Sequence, residues 1–127
     1  MISLDEILKI HAILVEKFGG SDGVRDNDLL ESAINRPYQT FDGQELYPSA
    51  LEKAAAILES IVKNHPFMDG NKRTGYVLAR LILMEAELDI NADQTTKYEF
   101  VIDVSINKLD YDQIKEWLLQ HVIKTGD

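Results

Sequence analysis

The sequence has no cysteine and only three prolines and one tryptophan among its 127 residues. Without cysteine the chain can form no disulfide and use no thiolate nucleophile, and we expect it in a reducing, cytoplasmic setting. No apolar run approaches the roughly 20 residues of a membrane-spanning helix, and no basic and apolar leader opens the chain. We therefore expect no contact with a membrane.

Positive charge is also scarce. Thirteen lysines and arginines stand against 22 aspartates and glutamates, which gives a formal net charge of −9. Binding to DNA or RNA depends on clustered cations that neutralise phosphates, so we expect no direct contact with nucleic acid. The acidic surplus suits a basic protein partner, although solubility alone also explains it.

Apolar residues recur at helical spacing along most of the chain, which predicts an all-α fold of about six helices in a single domain over residues 1–127. Ser3 and Glu6 form a candidate capping box for a helix that ends at Phe18. A long helix from Asn71 to about Glu87 is apolar on nearly all sides, which predicts a central, buried position. The other helices are expected to begin after the following residues: Asp26, Ser49, Asn91 or Asp93, and Asp110. Inward positions on the last two are predicted for these residues: Tyr98, Val101, Val104, Ser105, Ile114, Trp117, Leu118, His121 and Val122.

One segment departs from the helical pattern. Between Tyr38 and Tyr47, an Asp42-Gly43 turn signal is flanked by aromatic and β-branched residues, which predicts a small β-hairpin. The residues that this hairpin would present are Tyr38, Thr40, Phe41, Asp42, Gly43, Leu46 and Tyr47.

The most informative stretch is the nonapeptide from His65 to Arg73, which reads His-Pro-Phe-Met-Asp-Gly-Asn-Lys-Arg. A helix must end before its proline, and another is predicted to begin near Asn71. The first N–H groups of that second helix form an anion site, and Gly70 lets a phosphate approach the backbone closely. Lys72 and Arg73 oppose the helix dipole unless an anion lies beside them, so the arrangement indicates a phosphate ligand.

The same nonapeptide supplies further chemistry. Asp69 offers a hard oxygen ligand of the kind that Mg²⁺ combines with substrate phosphates. The imidazole of His65 can take a proton from a hydroxyl near neutral pH. Phe67 is predicted to anchor the bend in the core. Each residue alone also has a simpler explanation as a helix cap or a solvated charge, but their order and spacing together favour a nucleotide site.

The stretch from His65 to Arg73 resembles the signature of the Fic/Doc family, His-Pro-Phe-x-(Asp or Glu)-Gly-Asn-(Gly or Lys)-Arg, without a gap. Lys72 is typical of the death-on-curing (Doc) branch, whose members are toxins of bacterial toxin–antitoxin pairs. Further similarity lies in residues 23–37 and 52–56, and the last two helices match only loosely.

The resemblance implies a compact helical fold with the active loop between two central helices. It implies that His65 takes a proton from a target hydroxyl and that Asp69 coordinates Mg²⁺. The phosphates of ATP would be bound by these residues: Gly70, Asn71, Lys72 and Arg73. The hairpin over residues 38–47 would dock the target protein in extended form.

Two departures from the family pattern leave the transferred group open. Tyr76 stands where AMP-transferring Fic proteins carry a second arginine, and Gly70 stands where the best-known Doc proteins have alanine. Lys72 and Tyr76 favour transfer of a phosphoryl group to a serine or threonine of a protein, by resemblance elongation factor Tu. Gly70 keeps AMP transfer as the alternative, and a binding module without catalysis is the third possibility.

Regulation is expected from a separate chain. Thr95 and Glu99 have the spacing of the inhibitory motif of Fic proteins, but Phe100 follows where that motif has glycine or asparagine. We therefore interpret the spacing as coincidence and expect an antitoxin protein to inhibit the enzyme.

Overall fold

The computed structural model describes residues 2–126 and shows a mostly helical fold, as predicted. Its α-helices are α1 (Leu4–Phe18), α2 (Asn27–Asn35), α3 (Ala50–Asn64), α4 (Asn71–Glu85), α5 (Gln94–Ser105) and α6 (Tyr111–His121). A 3-10 turn covers Arg36–Tyr38, and the short strands are β1 (Thr40–Phe41), β2 (Gln44–Glu45), β3 (Leu88–Ile90) and β4 (Val122–Lys124). Within the described part of the chain, no helix is both long enough and apolar enough to cross a membrane.

The helices begin where the capping signals predicted. The side chains that accept a backbone N–H at a helix start are Ser3, Asp26, Ser49, Asp93 and Asp110. Ser3 and Glu6 complete the predicted capping box, which satisfies two of the N–H groups that a helix start leaves without partners. Helix α4 is the exception, because Gly70 stands at its cap position and offers no side chain.

Helices α3 and α4 form the centre of the fold and contact each other more extensively than any other pair of elements. Their facing residues are fully buried, among them Ala55, Leu58 and Leu78. The helices approach closely at Gly75, where an added Cβ would lie 2.8 Å from Cγ2 of Val62. Because α3 ends directly before the nonapeptide and α4 begins within it, this packing sets the distance across the bend.

Helix α4 is central, as predicted, and ends at Glu85, within two residues of the predicted end, although Met84 is 47% exposed. Two details of the helical prediction are wrong. Tyr98 points outward and is 69% exposed, while Phe100 is buried and stacks on Trp117 with 3.8 Å between ring centroids. Val122 does not belong to the last helix but begins β4.

The predicted hairpin is present. Thr40 pairs with Glu45, and Phe41 pairs with Gln44, in antiparallel register. Asp42 and Gly43 between them both have positive φ angles (52° and 78°), as the tight two-residue turns of hairpins require. A second antiparallel pair, β3 with β4, was not predicted and joins the end of α4 to the end of α6.

Candidate active site

The bend between α3 and α4 places His65 at the end of α3 in a strained backbone conformation. Its φ and ψ angles are 51° and 58°, a left-handed conformation that costs a non-glycine residue about 1 kcal/mol. Arg25 holds this conformation, because its guanidinium donates to the carbonyl oxygens of His65 (2.6 Å) and Asn64 (2.7 Å). The side chain of His65 is exposed and makes no hydrogen bond within residues 2–126, so its ring is accessible to a substrate.

Phe67 lies in the middle of the bend and is fully buried. Asn71 braces it from the first turn of α4: the N–H of Phe67 donates to Oδ1 of Asn71 (3.0 Å), and Nδ2 of Asn71 donates to the carbonyl of Phe67 (3.1 Å). The side chain of Asn71 is therefore engaged within the loop, and its backbone N–H is the group that it can offer to a phosphate.

Asp69 is exposed but held on two sides. Its Oδ2 accepts the N–H of Ser21 at 2.8 Å, and its carbonyl oxygen lies 2.7 Å from Nε2 of His11. Within residues 2–126 its Oδ1 has no hydrogen-bond partner, so one carboxylate oxygen can reach a ligand.

The start of α4 carries the features of an anion site. Gly70 has a φ of +77°, and the first N–H groups of the helix have no side-chain cap. Lys72 and Arg73 follow in the first turn, both exposed. The guanidinium of Arg73 lies 4.4 Å from the ring centroid of Phe18, a cation–π contact that ties it to the end of α1.

A cavity of about 450 Å³ opens beside this helix start. One wall comes from α4 and consists of Gly70, Asn71, Lys72, Arg73 and Tyr76, and the opposite wall comes from α5 and consists of Gln94, Lys97, Tyr98, Val101 and Ile102. Burial raises the pKa of the Tyr76 hydroxyl, and Asp89 adds to that rise while Arg80 opposes it. Tyr76 therefore presents a neutral aromatic group to the cavity.

The structure gathers the predicted phosphate-binding residues into this cavity but does not place every predicted residue there. His65, Asp69 and the hairpin are not part of its walls. His65 and Asp69 lie on the loop that leads into α4, adjoining Gly70 along the chain. The arrangement thus separates a cavity that suits a charged ligand from a loop that carries a base and a carboxylate.

The hairpin divides into an anchored base and an exposed tip. Tyr47 accepts a hydrogen bond from Nε of Arg36 (3.1 Å), and Lys53 donates to the carbonyl of Tyr47 and to Glu45. Tyr38 belongs to the 3-10 turn and is partly buried. At the tip, Phe41 is 75% exposed. The exposed members of the predicted set are Thr40, Phe41, Asp42, Gly43 and Leu46.

Three residues around the site were missed or given another role by the sequence prediction. His11 received no role from the sequence, and it is buried in the core and also contacts Asp69. Arg25 received none either, and it binds the carbonyl oxygens of Asn64 and His65. Tyr98 was expected to point inward. The one usable signal was His11 itself, because a polar ring on an apolar helix face must find a partner when it is buried.

A metal bound by protein side chains alone is not supported. Within residues 2–126, no three histidine, aspartate or glutamate side chains converge on a metal position. Asp69 offers a single carboxylate with one free oxygen, which fits Mg²⁺ only where substrate phosphates supply further ligands.

A family model and two relatives identify the family of this chain. The model of the Fic/DOC family matches residues 1–83. Toxin Doc of Mycolicibacterium smegmatis is 37% identical over 101 residues, which cover 76% of this chain and 76% of that protein. Protein kinase doc of Escherichia phage P1 is 30% identical over 82 residues, 65% of this chain and 64% of that protein. Since the matched model contains the whole bend from His65 to Arg73, the chain belongs to the Fic/Doc family, on its Doc toxin branch.

Proposed function

We propose that this protein is a Doc-type toxin that transfers the γ-phosphoryl group of ATP to a serine or threonine hydroxyl of a protein. By resemblance, the target is elongation factor Tu, and its modification blocks translation in the cytoplasm. The relative from phage P1 is named a protein kinase, which supports a kinase reaction here.

The observation that carries the proposal is the start of α4. Gly70, Asn71, Lys72 and Arg73 line one cavity, at a helix start whose N–H groups have no side-chain cap. Lys97 adds a third cation from α5. In a chain with a formal net charge of −9, this local group of cations suits a polyphosphate and little else.

The opposite wall of the cavity suits the rest of a nucleotide. Tyr98 and Tyr76 present aromatic rings, and Val101 and Ile102 add apolar surface. The amide of Gln94 can both donate to and accept from the edge of a base. A nucleotide that lies across the cavity would therefore place its phosphates on α4 and its base on α5.

The reaction assigns one step to each group of the loop. The imidazole of His65 accepts the proton of the target hydroxyl, whose oxygen attacks the γ-phosphorus. The bond from that phosphorus to the β–γ bridging oxygen breaks, and ADP leaves with the electron pair. Such transfer depends mainly on positioning and on charge neutralisation, which Lys72 and Arg73 supply. Mg²⁺, held by the free oxygen of Asp69 and by the nucleotide, would neutralise further phosphate charge.

Docking of the target belongs to the hairpin. Phe41 is 75% exposed and Leu46 is 49% exposed, and both lie on an element whose base is anchored through Tyr47. An extended target segment would pair beside β1 or β2 while these apolar side chains contact it, as the family resemblance implies.

The test compares two labelled nucleotides. The purified chain is incubated with elongation factor Tu and Mg²⁺, and with ATP labelled at either the γ- or the α-phosphate. Label on the target from γ-labelled ATP only, and none with the His65→Ala variant, supports phosphoryl transfer. Label from α-labelled ATP only would replace it with AMP transfer.

AMP transfer is the second candidate because Gly70 matches the Fic form of the motif. Tyr76 argues against it, since it lines the cavity with a neutral ring where AMP-transferring relatives are expected to have an arginine. A target that gains the mass of AMP would establish this reaction.

A toxin of this branch is expected to pair with an antitoxin protein, and co-purification with a protein encoded beside it would identify that partner.

The third candidate is a binding module without catalysis, which predicts that toxicity does not depend on the base in the active loop. If the His65→Ala variant stops growth as strongly as the parent does, the mode of action is binding and not transfer.

A further inference from the structure

We infer that His11 is a positioning residue for the active loop and that it fixes Asp69 through the hydrogen bond from its Nε2 to the carbonyl oxygen of Asp69. The two residues are 58 positions apart in the sequence. The inference deepens the proposed function, and only its metal-binding arm depends on that function.

The geometry at His11 determines which nitrogen carries the hydrogen. Nε2 lies 2.7 Å from the carbonyl of Asp69, and because a carbonyl oxygen can only accept, Nε2 must donate. The ring is 1% exposed and stacks on Phe67 with 3.9 Å between centroids and 8° between planes. Packing on Phe67 therefore prevents the ring from turning away from Asp69.

The carboxylate of Asp69 is held in turn by the segment after α1. The N–H of Ser21 donates to Oδ2 at 2.8 Å. Gly20 lies directly against the side chain, since an added Cβ would be 3.0 Å from Cβ of Asp69. His11 holds the backbone of Asp69 while Ser21 holds its side chain, so Oδ1 is presented in one orientation.

The same hydrogen bond bears on the start of α4. The carbonyl that His11 holds belongs to the peptide group whose nitrogen is that of Gly70, and an added Cβ on Gly70 would lie 3.6 Å from Nε2 of His11. A displacement of Asp69 would therefore also displace the first N–H groups of the helix. A Cβ at position 70 would touch the ring at an ordinary van der Waals distance, so the start of α4 lies directly beside the ring that holds the loop.

A purely packing role for His11 makes different demands. Packing needs only the volume and flat shape of the ring, which phenylalanine supplies, whereas positioning needs the N–H donor. Asp22 provides a matched control: its Oδ1 lies 3.4 Å from Nδ1 of His11, but its side chain is 69% exposed and is not bonded to Asp69. Asp22→Asn therefore perturbs the far side of the ring and leaves the Nε2 bond in place.

The main test needs neither nucleotide nor target. In the full chain without ligand, the exchange rate of the Ser21 amide proton, measured by NMR, reports whether Asp69 still accepts it. We expect exchange in His11→Phe to be faster by about tenfold, as when a hydrogen-bonded contact opens locally, and unchanged in Asp22→Asn. Asp69→Ala shows the rate when the acceptor is absent. An unchanged rate in His11→Phe would overturn the inference.

A second pair of variants covers the case in which His11→Phe does not fold. Glutamine and leucine have similar size, but only glutamine offers an N–H donor at about the reach of Nε2. Protection of Ser21 is expected in His11→Gln and not in His11→Leu. Equal exchange in the two variants would assign His11 to packing and reject positioning.

The metal-binding arm measures Mn²⁺ bound in the presence of ATP by EPR, with Mn²⁺ in place of Mg²⁺. Loss of a group that orients a metal-binding carboxylate weakens metal affinity by about 10–100-fold. We expect a rise of about tenfold in half-saturating Mn²⁺ for His11→Phe, with none for Asp22→Asn. If the parent binds no metal with ATP, the proposed function fails while the amide exchange still decides the role of His11.

Discussion

Replacing Gly75 with alanine tests whether the close approach of α3 and α4 holds the active loop together. Gly75 lies in the interior of α4, where alanine favours the helix by about 1 kcal/mol over glycine. The added methyl, however, would lie 2.8 Å from Cγ2 of Val62 and 3.4 Å from two atoms of Ile61. Overpacking of this kind costs about 1–3 kcal/mol.

The overpacking is expected to exceed the gain in helix propensity. Val62 and Ile61 are both 0% exposed, so neither can swing into solvent to make room. We therefore expect Gly75→Ala to lower the free energy of unfolding by about 1 kcal/mol, which is a drop in Tm of about 3–5 °C for a chain of this size. Urea unfolding monitored by circular dichroism measures the free energy directly.

A double-mutant cycle isolates the contact. Val62→Ala alone is expected to cost about 2 kcal/mol through lost burial and a small cavity. In the double variant the new methyl at 75 fills part of that space, so the double variant should be more stable than the sum of the singles by at least about 1 kcal/mol. Additivity within about 0.5 kcal/mol, or a Gly75→Ala variant more stable than the parent, would refute the reasoning.

Three further predictions address other parts of the molecule. Arg36→Ala should cost about 1–3 kcal/mol in urea unfolding, because the hydrogen bonds of Arg36 to Tyr47, Glu59 and Ser60 are lost while Lys63 still pairs with Glu59. Arg80 lowers the pKa of Asp89, chiefly through their hydrogen bond, so the pair stabilises the fold above the ordinary aspartate pKa and the effect is lost as pH falls through the lowered pKa. Arg80→Ala should therefore narrow the difference in the free energy of unfolding between pH 7 and pH 3, measured with urea, by less than about 1 kcal/mol, because Arg80 is half exposed. Phe41→Ala should leave Tm unchanged, because that side chain is 75% exposed, while labelling of the target falls.

The features that could be predicted from the sequence are those that depend on residues close together in the chain. The caps at Ser3, Asp26 and Asp110 act over three positions, and the Asp42-Gly43 turn acts over two, so each could be recognised without knowing the fold. The nonapeptide is likewise continuous, which is why its bend between two central helices was predicted correctly.

Features that depend on contacts between residues far apart in the sequence were not predicted. β3 and β4 are three residues each and lie more than 30 positions apart, so neither shows a strand pattern of useful length. Tyr98 and Phe100 are two positions apart on α5 and cannot both point inward. The sequence alone did not show which of the two rings would stack on Trp117. The hydrogen bond from His11 to the carbonyl of Asp69 joins residues 58 positions apart, and the one from Arg25 to the carbonyl of His65 joins residues 40 positions apart.

The residues at the start of α4 make that helix end less stable than a capped helix start. Helices α1, α2, α3 and α6 each have a capping side chain and an acidic residue in the first turn, which suit the positive end of a helix dipole. Helix α4 has neither, and Lys72 and Arg73 stand there instead. Glycine in place of a capping side chain costs a few tenths of a kcal/mol, and each opposed cation adds about 0.3–1 kcal/mol at low ionic strength. Bound phosphate would reverse both penalties at once, because it accepts the free N–H groups and pairs with both cations. The unfavourable charges at this helix start therefore support the proposal of an anionic ligand independently of the family signature.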